Sequence, residues 1–122
     1  MKYGFLCAAA ASPGLRVADV AYNTQEIIKS MREYAARNAQ LLCLPEFCLT
    51  GYTCSDLFLQ ETLICGAEQG LAEILAASCG LNLVTVVGLP VRRSGKLYNC
   101  AAVVCDGRFT VCSLWPLGNL PI

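Results

Sequence analysis

Glu46 is the residue whose type and place most invite chemistry. It follows Leu41-Leu42-Cys43-Leu44, a compact apolar run that reads as a buried strand, and Pro45, which ends that strand. Proline has no amide hydrogen to give to a ladder, and it holds the residue before it extended. A carboxylate set between Pro45 and Phe47 is expected in an apolar setting, where it is costly unless paired or put to use. In an open α/β sheet the crevice beyond a strand's carboxyl end is where ligands bind, which makes Glu46 a candidate general base. The chain contains no histidine, so Ser-His and Cys-His nucleophile pairs are excluded. Any thiol or hydroxyl nucleophile would need another base. Cys48 and Cys54 flank the Glu46 loop, but a reactive thiol needs an electropositive setting. Only Cys54 has one, and it is no more than a weak helix start.

The elements that must position Glu46 can be read outward from it. Tyr3–Ala10 is expected as a first buried strand closed by the Ser12-Pro13-Gly14 turn. Asn23-Thr24-Gln25-Glu26 has the form of a capping box, and Ile27, Ile28, Met31, Tyr34 and Ala35 then recur at helical spacing. Asn38 suits a left-handed stop, and Leu41–Leu44 becomes the second strand of a right-handed β-α-β unit. Ser55 can cap a short turn carrying Asp56. A second helix is expected over Thr62–Ser78 with Leu63, Ala67, Leu71, Ile74 and Leu75 inward; Gly66 and Gly70 weaken it unless something packs closely there. Leu83–Leu89, closed by Pro90, is a third strand; Ser94-Gly95 leads to a fourth, Leu97–Cys105, and Asp106-Gly107 to a fifth, Arg108–Cys112. The fold class is α/β: β-α-β-α-β followed by an antiparallel β-meander, in one mixed sheet.

Composition narrows the function. A length of 122 residues allows one domain at most, and the hydrophobic share of 56% is high for a soluble one. Nine basic and nine acidic residues cancel, with no basic block, which excludes nucleic acid and acidic membrane surfaces as obvious partners. No apolar run approaches a membrane span, although Met1-Lys2 followed by Tyr3–Ala11 mimics a short signal peptide. Nine cysteines without a C-x-x-C pair or a histidine do not make a zinc site. Their odd number and placement in apolar runs argue for free, buried thiols in a reducing cytoplasm.

Leu44-Pro45-Glu46, followed by Leu49-Thr50-Gly51-Tyr52-Thr53-Cys54-Ser55-Asp56-Leu57-Phe58, resembles the first catalytic segment of the nitrilase (C–N hydrolase) superfamily. Within it the run is similar to the glutaminase domains of glutamine-dependent NAD synthetases. Lys2-Tyr3-Gly4-Phe5 and Gly95-Lys96-Leu97-Tyr98-Asn99-Cys100-Ala101-Ala102 share that similarity. The resemblance implies the N-terminal half of an α-β-β-α sandwich. It also implies a chemistry in which a Glu base deprotonates a Cys nucleophile and a Lys offsets the developing charge.

Carried over by this resemblance, Glu46 is the base and Tyr52, six residues on, lines the substrate site. The Lys position falls on Leu117 when Pro116 is matched, and the Cys lies beyond Ile122. Residues 1–122 thus read as a single partial glutaminase-like domain that is inactive alone, with glutamine as the family's substrate. No cofactor is expected in this chain, ATP being used by a synthetase domain elsewhere. Residues 113–122 depart from the family pattern, which suggests a frameshift or premature stop in a longer gene. Two alternatives stay open: a non-catalytic module that self-associates through its surplus apolar surface, and a fragment of another C–N hydrolase such as an amidase.

Overall fold

A computed structural model describes residues 4–51 and 61–118, of which 114–118 are described as backbone only. In chain order the elements are β1 (Ala8–Ala10), α1 (Val20–Ala36), β2 (Leu41–Cys43), α2 (Glu61–Ser78), β3 (Val84–Arg93), β4 (Lys96–Cys105) and β5 (Arg108–Gly118). The strands form one sheet in sequence order, parallel from β1 to β3 and antiparallel from β3 to β5. This is the mixed α/β arrangement expected.

Both parallel connections move the same way across the sheet, so right-handed crossovers put α1 and α2 on the same face. They pack on each other, and α2 on β3 and β4. The core between them joins Ile27, Met31 and Ile74 to Leu42, Val87, Leu89, Ala102 and Val104. Strand alternation sends the intervening residues to the opposite face, where Cys43, Val86, Val103 and Cys112 are exposed or half-buried. No helix covers that face among the described residues.

Gly70 brings the helices together. A Cβ there would stand 2.6 Å from Thr24 Oγ1 and 3.1 Å from side-chain carbons of Leu49 and Val20. The close approach offsets the roughly 1 kcal/mol that glycine costs a helix.

Several boundaries differ from expectation for local reasons. Strand β1 is short, and residues 1–3 lie outside the described residues. Helix α1 starts at Val20, because Asp19 is its cap and accepts from the Tyr22 N–H at 3.1 Å. Asn23, expected as the cap, is instead buried in the first turn. Pro90 does not end β3; it pairs with Asn99. By alternation from Gly88, whose carbonyl accepts from Leu49 N, the missing hydrogen of Pro90 points to the side where β2 has already ended. Strand β5 runs on to Gly118, with register shifts opposite Leu97/Tyr98 and Asn99/Cys100. Asn38 takes the left-handed conformation expected of it, with a φ of 64°, and the expected turns at Ser94-Gly95 and Asp106-Gly107 have positive φ at both residues, 54° and 75°, and 46° and 77°.

The cysteines correct a further expectation. The eight described are free, but only Cys48 and Cys100 are buried. Cys43 and Cys112 fall on the uncovered face, and Cys65 and Cys79 on the outer side of α2 and its end.

Candidate active site

The site forms where β2 stops. Leu44 N still donates to Val86 O at 3.1 Å, continuing the ladder for one residue. Pro45 then releases the chain into a turn over residues 46–50, closed by Thr50 N and Gly51 N donating to Phe47 O at 3.1 and 2.7 Å. Phe47 has a φ of 52°, in the left-handed region that a bulky residue seldom enters. Local strain of this kind gathers at functional sites and persists only where the surroundings enforce it. Gly88 is part of that enforcement, because its lack of a side chain lets the Pro45–Phe47 backbone lie directly on β3.

Glu46 stands at the head of this turn. It is exposed, which corrects the expectation of an apolar enclosure: Phe47 turns its ring into a small cluster with Leu63, Ile64 and Leu97, and the carboxylate faces out. Its partner is Asn99 on β4, whose Nδ2 donates to Glu46 Oε1. Asn99 has no exposed surface, and its Oδ1 is buried without a hydrogen-bond partner. The amide turns its NH2 to the carboxyl oxygen, a donor facing an acceptor.

A second tether holds the loop from the other side. Buried Asn23 accepts from Arg16 N at 2.7 Å, donates to Arg16 O at 2.7 Å and donates to Leu49 O at 3.0 Å. Ala18 N adds a bond to Thr50 O at 2.8 Å. The β1–α1 loop and the Glu46 loop therefore form one hydrogen-bonded unit.

No described cysteine beside the carboxylate is suited to attack. Cys48 is fully buried, its thiol lies 3.6 Å from Gly88 O, and burial pushes its pKa up to about 12. Burial raises that of Cys100 as well. A thiol held protonated is a poor nucleophile. Tyr52, Cys54 and the Ser55–Asp56 turn lie outside the described residues. The Leu117 backbone lies in β5, in the stretch that pairs with Leu97 and Tyr98. The ion pairs found among the described residues, Arg37–Glu33 and Arg92–Glu61, leave Glu46 out. No group of three possible metal ligands occurs among the described residues.

Sequence reasoning picked Glu46 but gave Asn99, Asn23 and Gly88 no role at the site. Asn99 did carry a signal: a lone amide in the otherwise apolar strand Leu97–Cys105 must be satisfied by something. Its partner lies 53 residues away.

A mixed sheet backed by two helices, with a carboxylate at a parallel strand's carboxyl end and no histidine in the sequence, defines the class as an α/β domain. The sequence model of the carbon-nitrogen hydrolase family matches residues 7–113, and the chain belongs to that family. It is 32% identical over 120 residues to a glutamine-dependent NAD(+) synthetase of Mycobacterium bovis, covering 98% of this chain and 17% of that protein. The crystal structure of a glutamine-dependent NAD(+) synthetase from Cytophaga hutchinsonii superposes with a TM-score of 0.81 at 32% identity. That match covers 90% of this chain and 19% of the other. An amidase from Nesterenkonia sp. shares the fold, with a TM-score of 0.72 at 20% identity over 88% of this chain and 42% of that one. The chain thus spans less than a fifth of either of these two synthetases.

Proposed function

We propose that this chain carries the general base of a glutamine amidohydrolase domain that supplies ammonia for NAD synthesis, and that it does not hydrolyse glutamine alone. The observation that carries the reading is Glu46 at the end of β2, fixed by a buried amide within a chain of the carbon-nitrogen hydrolase family. In the proposed step the Glu46 carboxylate takes a thiol proton while the thiolate bonds to the glutamine amide carbon. The proton then passes to the leaving nitrogen as the C–N bond breaks and ammonia departs. Water, deprotonated by the same carboxylate, hydrolyses the thioester to glutamate and restores the thiol.

The thiol is assigned to polypeptide outside residues 1–122, where the resemblance places the family's Cys; Cys48, beside Glu46 in sequence, is buried and held protonated. The cation that offsets the oxyanion is assigned there too, because Leu117 stands where the resemblance places a lysine and leucine carries no charge. ATP is used by that further polypeptide and not by this chain. Tyr52 is proposed to line the glutamine site. The unpaired thiols suit a reducing cytoplasm.

The test is ammonia release from glutamine by the purified chain. Production no greater than that of Glu46→Ala is expected; turnover by the chain alone overturns the proposal. The sheet face that no helix covers among the described residues favours a second reading, a packing module that self-associates. A concentration-dependent dimer in analytical ultracentrifugation would support it.

A further inference from the structure

We propose that Asn99 is a positioning residue that aims the Glu46 carboxylate, an inference that rests on the reading of Glu46 as the general base. Judged as a structural residue, Asn99 is a poor choice. It is fully buried in the sheet, yet its Nδ2 bonds one carboxylate oxygen while its Oδ1 has no partner. A leucine of similar size would fill the same space without leaving a buried carbonyl unsatisfied. Glu46 does not need the amide for solvation either, since it is exposed and water can reach it.

Nor is the bond needed to hold the loop. Backbone bonds from Leu44 N to Val86 O and from Leu49 N to Gly88 O fix its two ends to β3, and Asn23 fixes Leu49 to the β1–α1 loop. What the Asn99 amide alone determines is the direction of the Glu46 side chain. With Oε1 held, the oxygen left to take a proton is Oε2. The strand pairing of Asn99 with Pro90, two residues from Gly88, sets the amide beside the turn that carries Glu46.

The experiment uses the 122-residue chain and two readouts that do not pass through catalysis. The first is the side-chain amide signal of Asn99 in 15N NMR, with and without Glu46→Ala. Loss of a hydrogen bond to a charged group is expected to speed exchange of the bonded proton about tenfold. The second is the rate at which a carbodiimide labels Glu46, relative to the exposed Glu33 and Glu68, in wild type and Asn99→Leu. Freed of the amide, Glu46 is expected to label several-fold faster in Asn99→Leu while the chain stays at least as stable to urea. A merely structural Asn99 would give the opposite pair: lower stability and an unchanged relative rate at Glu46.

An Asn99 amide indifferent to Glu46→Ala overturns the inference, and it decides the matter if Asn99→Leu does not fold. Failure of Glu46 as a base would appear instead in complementation. There, a longer protein containing this chain would release ammonia from glutamine equally well with Glu46→Gln.

Discussion

Gly88 and Phe47 meet backbone to backbone: a Cβ added to Gly88 would stand 2.5 Å from Phe47 N and 2.8 Å from Pro45 O. Neither atom belongs to a flexible side chain, so the turn that carries Glu46 must shift if position 88 gains a methyl. Gly88→Ala is therefore expected to destabilise the chain by about 1–3 kcal/mol, the usual cost of overpacking. It is also expected to weaken the Glu46–Asn99 bond. Urea unfolding measures the first effect and the Asn99 side-chain amide signal the second. An alanine variant with unchanged stability and signal would mean that the loop does not lie on β3 as described.

The parts of the fold legible in the sequence were those whose cause is local. Asn38, Ser94-Gly95 and Asp106-Gly107 are turn signals whatever surrounds them, and the structure turns at all three. The alternation and periodicity that fix the sheet and helices are equally local. Pro90 was misread as a stop because a missing N–H matters only where a partner strand would receive it. That depends on where β2 ends, not on Pro90. Asn23 was misread as a cap because capping and loop-bridging use the same side-chain groups, and only the approach of Leu49 decides between them. The place of Glu46 just beyond a strand end is legible because proline and the strand before it are its neighbours in sequence. The role of Asn99 is not legible in the sequence because its partner lies in a turn 53 residues away.

Asn23 offers a sharper stability test than any core hydrophobe. It makes three hydrogen bonds from a fully buried position, two of them to Arg16 and one to Leu49. Truncation to alanine leaves the Arg16 N–H and the Leu49 carbonyl without their partner, while Arg16 O keeps the Asp19 N–H at 3.2 Å, and each desolvated group left unpaired costs about 1–3 kcal/mol. Asn23→Ala is expected to lose about 2–4 kcal/mol in urea unfolding. Asn23→Asp should be no better, because it points a carboxylate at the carbonyls of Arg16 and Leu49 where the amide donated. A variant within about 0.5 kcal/mol of wild type, the range of ordinary surface changes, would refute the tether.

Cys48 sets a pH dependence. Burial raises its thiol from 9.0 to about 12 in the folded chain, so between those values the folded state holds a proton that the unfolded state has released. Stability from this group is intact below pH 9.0 and declines as pH rises toward about 12. Its slope approaches about 1.4 kcal/mol per pH unit. Cys48→Ala, which removes the group, should flatten the alkaline limb of the urea midpoint against pH relative to wild type. In the same range iodoacetamide should modify exposed Cys43 and Cys112 well before Cys48. Peptide mapping that finds Cys48 labelled as fast as Cys43 would contradict its burial.

The two sides of β4 should respond oppositely to a charge. Val104 is fully buried under the helices, whereas its neighbour Val103 points to the other face and is half-buried. An unpaired lysine ammonium at position 104 has no route to water and should cost about 4 kcal/mol or more, enough to unfold a domain of this size. At position 103 the same ammonium can reach solvent across the uncovered face, so Val103→Lys should leave urea stability within about 1 kcal/mol of wild type. If copies associate through that face, Val103→Lys should also shift the ultracentrifuge profile to monomer, because a charge in an apolar interface is unpaired. Equal destabilisation by the two substitutions would show that the second face is covered, and would remove the basis for self-association through it.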